Sequence, residues 1–159
     1  MGRKILAVIL GYVAMAVVVM GGLTAAYLAM GADGAFEAGS YQVTSTWIAV
    51  WLVTSVVAAV AGGFVCAKVG KSKGAVVSLL VLVGVFGAAN TVMQMNKEIP
   101  AEDVIRAGDT PNFEAMSKAR APTWMYITEP MIGLFGAMVG ATLGCGCRSK
   151  SGDEVSESA

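Results

Sequence analysis

Four stretches of this sequence carry no charged residue: 5–32, 38–67, 74–96 and 130–147. Each is long enough for a helix of about 17 to 25 apolar residues to cross the hydrocarbon core of a bilayer. Such a chain has few options. In lipid every backbone N–H and C=O must find its partner inside the protein, which makes the α-helix the spanning unit here. The expected fold is an all-α membrane protein, a four-transmembrane-helix bundle with spans at 5–30, 43–67, 75–95 and 130–147. Composition points the same way. The chain is 56% hydrophobic and 14% charged, whereas a soluble domain has about 25% charged residues.

The first apolar run follows Arg3 and Lys4, as the core of a secretory signal would. It continues through Leu23 to Leu28 without a convincing cleavage site, well beyond a signal core of about 7 to 15 residues. It therefore reads as an uncleaved first span. Lys68, Lys71 and Lys73 crowd the short turn after the second span, and Arg3, Lys4, Arg148 and Lys150 flank the two ends. These are seven of the eleven basic residues, so the positive-inside rule places both termini and this turn in the cytoplasm. The expected setting is a cell membrane, specifically a bacterial inner membrane. Trp47, Trp51 and Trp124, with Tyr27, Tyr41 and Tyr126, gather near the opposite interface, where an aromatic belt is expected.

The outer loop, 96–121, carries signals for short amphipathic helices. Pro100, Glu102 and Asp103 form a helix start and Gly108 a stop. After Pro111, residues Phe113, Met116 and Ala119 share a face, and Glu114 and Lys118 make a favourable i,i+4 pair. Residues 1–149 read as one membrane domain and 150–159 as a disordered cytoplasmic tail.

The fourth span has two candidate starts, Pro122 and Pro130. The residue before a proline avoids helical angles. The second is accordingly preferred, with Glu129 capping the helix at the outer boundary; the alternative is a longer helix from Pro122 kinked at Pro130. Asn90 and Gln94 stand one turn apart on the third span at a similar depth. With Glu129 they form a candidate polar cluster, read either as interhelical hydrogen bonding or as the lining of an outward-facing cavity.

Gly136, Gly140 and Gly144 recur every four residues beside a parallel row of Gly133, Ala137 and Ala141. Ala59, Gly62 and Gly63 continue the theme on the second span. Small residues at this spacing let helix backbones approach closely in lipid, where association rests on van der Waals contact. Their expected role is packing within one bundle, with a dimer face as the alternative.

The chain has no histidine and three cysteines, Cys66, Cys145 and Cys147, all near the expected cytoplasmic face. Imidazole-held metals are excluded, and Cys-Gly-Cys lacks the spacing of a paired thiolate site. Neither a metal nor another cofactor is expected. No basic, aromatic-interleaved surface indicates nucleic acid, and no soluble segment carries a nucleophile elbow or phosphate loop. The expected partners are the bilayer and either another membrane protein or further copies of the chain. The sequence thus points to a non-catalytic accessory or scaffold subunit acting through helix packing. The alternative is a small transporter or channel for an ion or small molecule, possible as a homo-oligomer.

Overall fold

The computed structural model describes residues 2–96, 114 and 118–145. The expected helices of the outer loop, Cys147 and the tail lie outside these residues, apart from Glu114 and Lys118, which pair at 3.0 Å, and Ala119, which is not helical. Among the described residues four helices are long and apolar enough to cross a membrane: α1 (Gly2–Ala35), α2 (Ser45–Gly70), α3 (Lys73–Met95) and α4 (Thr123–Cys145). Among the described residues there is no strand, only two isolated bridges.

Local chemistry sets the helix ends. At Gly31 α1 leaves helical geometry (φ 69, ψ 178), a conformation that glycine adopts without a Cβ penalty. The sequence-expected end of the first span, at Met30, falls at this break. Thr44 caps α2 with both faces of its hydroxyl, accepting from Trp47 N at 3.2 Å and donating to Gly34 O at 2.7 Å. One side chain thus starts α2 and ties it to the end of α1. The connection to α3 needs only two residues. Lys71 closes α2 in the left-handed region (φ 48), and Ser72 caps α3 by accepting from Ala75 N at 3.3 Å.

Chain direction alternates from helix to helix. Arg3 Nε donates to Val69 O at 2.9 Å, so α1 begins where α2 ends. A Cβ on Gly144 would stand 2.8 Å from Ala67 Cβ, which brings the end of α4 to the same place. At this end Ala7, Cys66, Ala75 and Leu79 form a buried cluster from α1, α2 and α3.

The opposite end is closed by folded chain. Phe36 bridges to Val43 and Gln42 to Arg120, through Thr44 N to Ala35 O at 2.9 Å and Arg120 N to Tyr41 O at 2.9 Å. Tyr27, Phe36, Tyr41, Val43 and Trp47 pack beneath this plug, with Tyr27 edge-on to Trp47 at 5.8 Å. The aromatic-belt expectation is corrected for Trp47, Tyr27 and Tyr41. Trp47 is 1% exposed and Tyr27 and Tyr41 are buried, while Trp124 is 50% exposed. The rings collect at one end because they build its core, and Trp124 is left facing outward.

The bundle is organised around α2, which packs most extensively against α4 and α1. Its neighbouring glycines serve different partners. Gly63 lies under the Ala137 carbonyl of α4, whereas a Cβ on Gly62 would stand 2.7 Å from Gly11 O of α1. On α4, Gly140 lies over the Val60 carbonyl, and Cβ atoms on Gly136 and Gly144 would come within 2.6 Å of Ala59 Cβ and 2.7 Å of Phe64 O. Backbone therefore touches backbone along the α2–α4 seam, where many contacts of about 0.1 to 0.2 kcal/mol each accumulate.

The preferred start of the fourth span is also corrected. Helix α4 begins at Thr123 and runs through Pro130, so Glu129 lies inside the helix and caps nothing. Proline has no N–H, and at this position it leaves the carbonyl of Tyr126 without its helical donor. The Thr91 hydroxyl of α3 fills the place, 2.7 Å from Tyr126 O. Gly87, one turn earlier on α3, makes room for the proline ring, since a Cβ there would stand 2.9 Å from Pro130 Cβ. A polar bond and a small residue on the neighbouring helix thus let α4 continue where the sequence alone suggested a stop.

Candidate functional site

Helix α3 is the least embedded of the four; its buried residues are Ala75 and Leu79, near its start. Its far end is held by Gly87 and Thr91 on α4. Between these two attachments the helices part, leaving a cavity of about 400 Å³ lined by residues of all four. Its walls are largely apolar, with Met15, Val19, Ala58, Ala59 and Val83 among them. The polar groups that reach it are Glu129, Asn90, Ser55 and the Tyr12 ring.

Glu129 reaches this position because α4 is continuous through Pro130. Six residues separate it from Thr123, a rise of about 9 Å at 1.5 Å per residue. It therefore stands deeper in the bundle than a capping residue would. One carboxylate oxygen is fixed, with Trp51 Nε1 of α2 donating to Glu129 Oε1 at 3.0 Å. None of the described lysines or arginines forms an ion pair with it.

Of the sequence-expected polar cluster, Asn90 and Glu129 line the cavity and Gln94 does not. Gln94 lies a turn further along α3 and is exposed. Ser55 sits close to the middle of α2 and is 9% exposed, and its hydroxyl makes no hydrogen bond with any described residue. In the sequence Trp51 reads only as an aromatic-belt residue and Ser55 only as a small packing residue, while Tyr12 and Thr91 carry no mark. Their signal was present but weak: Ser55 belongs to a small-residue row, and Thr91 follows Gly87 at one-turn spacing.

The small residues divide between the seam and the cavity. Gly136, Ala137, Gly140, Ala141 and Gly144 are buried on α4, while Gly133 and Ala59 also border the cavity. Gly133 faces α3, where a Cβ would stand 3.1 Å from Val83 Cγ1. The two described cysteines do not share a site. Cys66 is buried towards α1 and α3, its thiol donating to Ala75 O at 3.5 Å, while Cys145 is exposed on α4. Among the described residues no three of His, Cys, Asp and Glu gather where they could hold a metal ion.

Comparison of the chain with models of protein families, with characterised proteins and with solved structures gives no match in any of the three.

Proposed function

We propose that this chain is a non-catalytic multi-pass protein of the cell membrane, with both ends in the cytoplasm, serving as an accessory or scaffold subunit. The observation that carries this reading is the α2–α4 seam, in which Gly63, Gly136, Gly140 and Gly144 press backbone against backbone. That seam packs α2 and α4 into a close central pair and leaves α3 and much of α1 exposed. In a bilayer those outward faces, with Val77, Val81 and Val85 on α3 and Ile5, Ile9 and Val17 on α1, meet lipid or another membrane protein.

The basic turn at Lys68, Lys71 and Lys73 supports the orientation. A bacterial inner membrane is the setting we infer from the short connections between helices.

A second reading, a small transporter or channel, is favoured by one specific observation, the cavity reached by Glu129 and Asn90. A carboxylate within a membrane helix is costly to keep and often marks an ion or substrate path. Native mass spectrometry of the protein released gently from its own membrane separates the two. The accessory reading expects a stoichiometric second protein. A homo-oligomer that carries only a small ligand would overturn it in favour of transport.

A further inference from the structure

We propose that the cavity between the four helices binds a hydrophobic organic cation, held by the Glu129 carboxylate. The inference goes beyond the subunit role above, since a scaffold and a transporter could each carry such a site.

Three features of the cavity lead to this ligand class. The first is charge. Trp51 engages one oxygen of Glu129, at 3.0 Å, and the described chain supplies no cation to the other. A part-buried carboxylate among apolar walls is stabilised by an opposite charge, and here a ligand brings it. The second is the wall. Apart from Glu129, Asn90, Ser55 and the Tyr12 hydroxyl the lining is hydrocarbon or aromatic. Such a surface suits a ligand with an apolar body and rejects a hydrated metal ion, which would surrender its water for few donors. The cavity volume, about 400 Å³, lies within the range of about 300 to 1,000 Å³ usual for small-molecule pockets.

The third is aromatic surface. Tyr12 of α1 and Phe86 of α3 line the cavity and meet across the gap between the two helices, with ring centroids 6.1 Å apart. Aromatic faces attract organic cations. At the base of the cavity Ser55, nine-tenths buried and without a hydrogen-bond partner among the described residues, offers a polar contact to the bound molecule.

The test uses the full chain in phosphatidylcholine nanodiscs and two probes of the same shape, benzyltrimethylammonium and its uncharged isostere neopentylbenzene, titrated by calorimetry. The cation is expected to bind at least about tenfold more tightly than the isostere, the discrimination that a carboxylate contact supplies. Glu129→Gln, whose amide oxygen can still accept from Trp51, is expected to abolish that preference while leaving isostere binding within about twofold. Ser55→Leu, which fills the cavity, is expected to weaken both probes. Equal affinity of wild-type protein for the two probes, or no binding of the cation, overturns the proposal whatever the variants do. So does cation binding that survives both substitutions, because the ligand would then sit elsewhere.

Discussion

Replacing Thr91 with valine isolates the bond that lets α4 pass through Pro130. The hydroxyl has one proton and two acceptors in reach, Tyr126 O at 2.7 Å and Gly87 O at 3.0 Å. Gly87 O lies inside a regular stretch of α3 and keeps its helical donor without the hydroxyl. Tyr126 O does not, because residue 130 has no N–H to give. Valine keeps the shape of threonine, so Thr91→Val removes the donor from one part-buried carbonyl. Interhelical hydrogen bonds in membranes average about 0.6 kcal/mol and reach about 1.7. We expect a loss of about 1 kcal/mol here, near fivefold in the unfolding equilibrium, since a part-buried carbonyl loses its donor. The control is Pro130→Ala, which restores an N–H to the helix. On that background Thr91→Val should cost only a few tenths of a kcal/mol, about the scale at which independent sites add. Far-UV circular dichroism in mixed micelles of rising denaturing-detergent fraction measures both. An equal cost of Thr91→Val in the two backgrounds would refute the assignment of this bond to the proline gap.

Three further substitutions test the packing and the caps. Gly140→Ala should lower the thermal midpoint of the detergent-solubilised protein by an amount equivalent to about 1 to 3 kcal/mol, since its Cβ would run into the Val60 carbonyl. Gly21→Ala meets nothing within 4 Å and should leave stability unchanged or raise it by up to about 1 kcal/mol. A similar fall for both would show that the seam is not the source of the cost. Thr44→Val removes the acceptor for Trp47 N and the donor to Gly34 O together and should cost about 1 to 2 kcal/mol in the same assay. Wild-type stability in this variant would mean that water serves the α2 start equally well.

The spans were legible because the charge-free runs and the basic turn are local properties of the sequence. The break at Gly31 and the two-residue link through Lys71 and Ser72 fall close to the edges of those runs. Helix α4 was harder. Whether Pro130 ends a helix depends on what stands opposite, and its neighbours Gly87 and Thr91 are some 40 residues away in the chain. The same limit applied to the aromatic residues. Their clustering near one interface was visible, but the turn through Phe36, Tyr41 and Val43 that folds them inward depends on pairing with Arg120. Asn90 and Glu129 could be grouped by depth alone. Helical phase relative to three neighbours decides which polar groups face the cavity, and it brought in Ser55 and left Gln94 outside.

The account rests most heavily on four crossings of a membrane with the basic turn inside. Thiol labelling of intact cells by a membrane-impermeant maleimide tests it directly, in a chain whose own Cys66, Cys145 and Cys147 are replaced by alanine. Single cysteines are introduced at two exposed positions, Ala38→Cys at the plugged end and Lys73→Cys in the basic turn. The account predicts labelling at position 38 in intact cells and at position 73 only after the membrane is permeabilised. Labelling at position 73 in intact cells, with position 38 protected, would contradict the orientation, and labelling of both would contradict the crossings themselves.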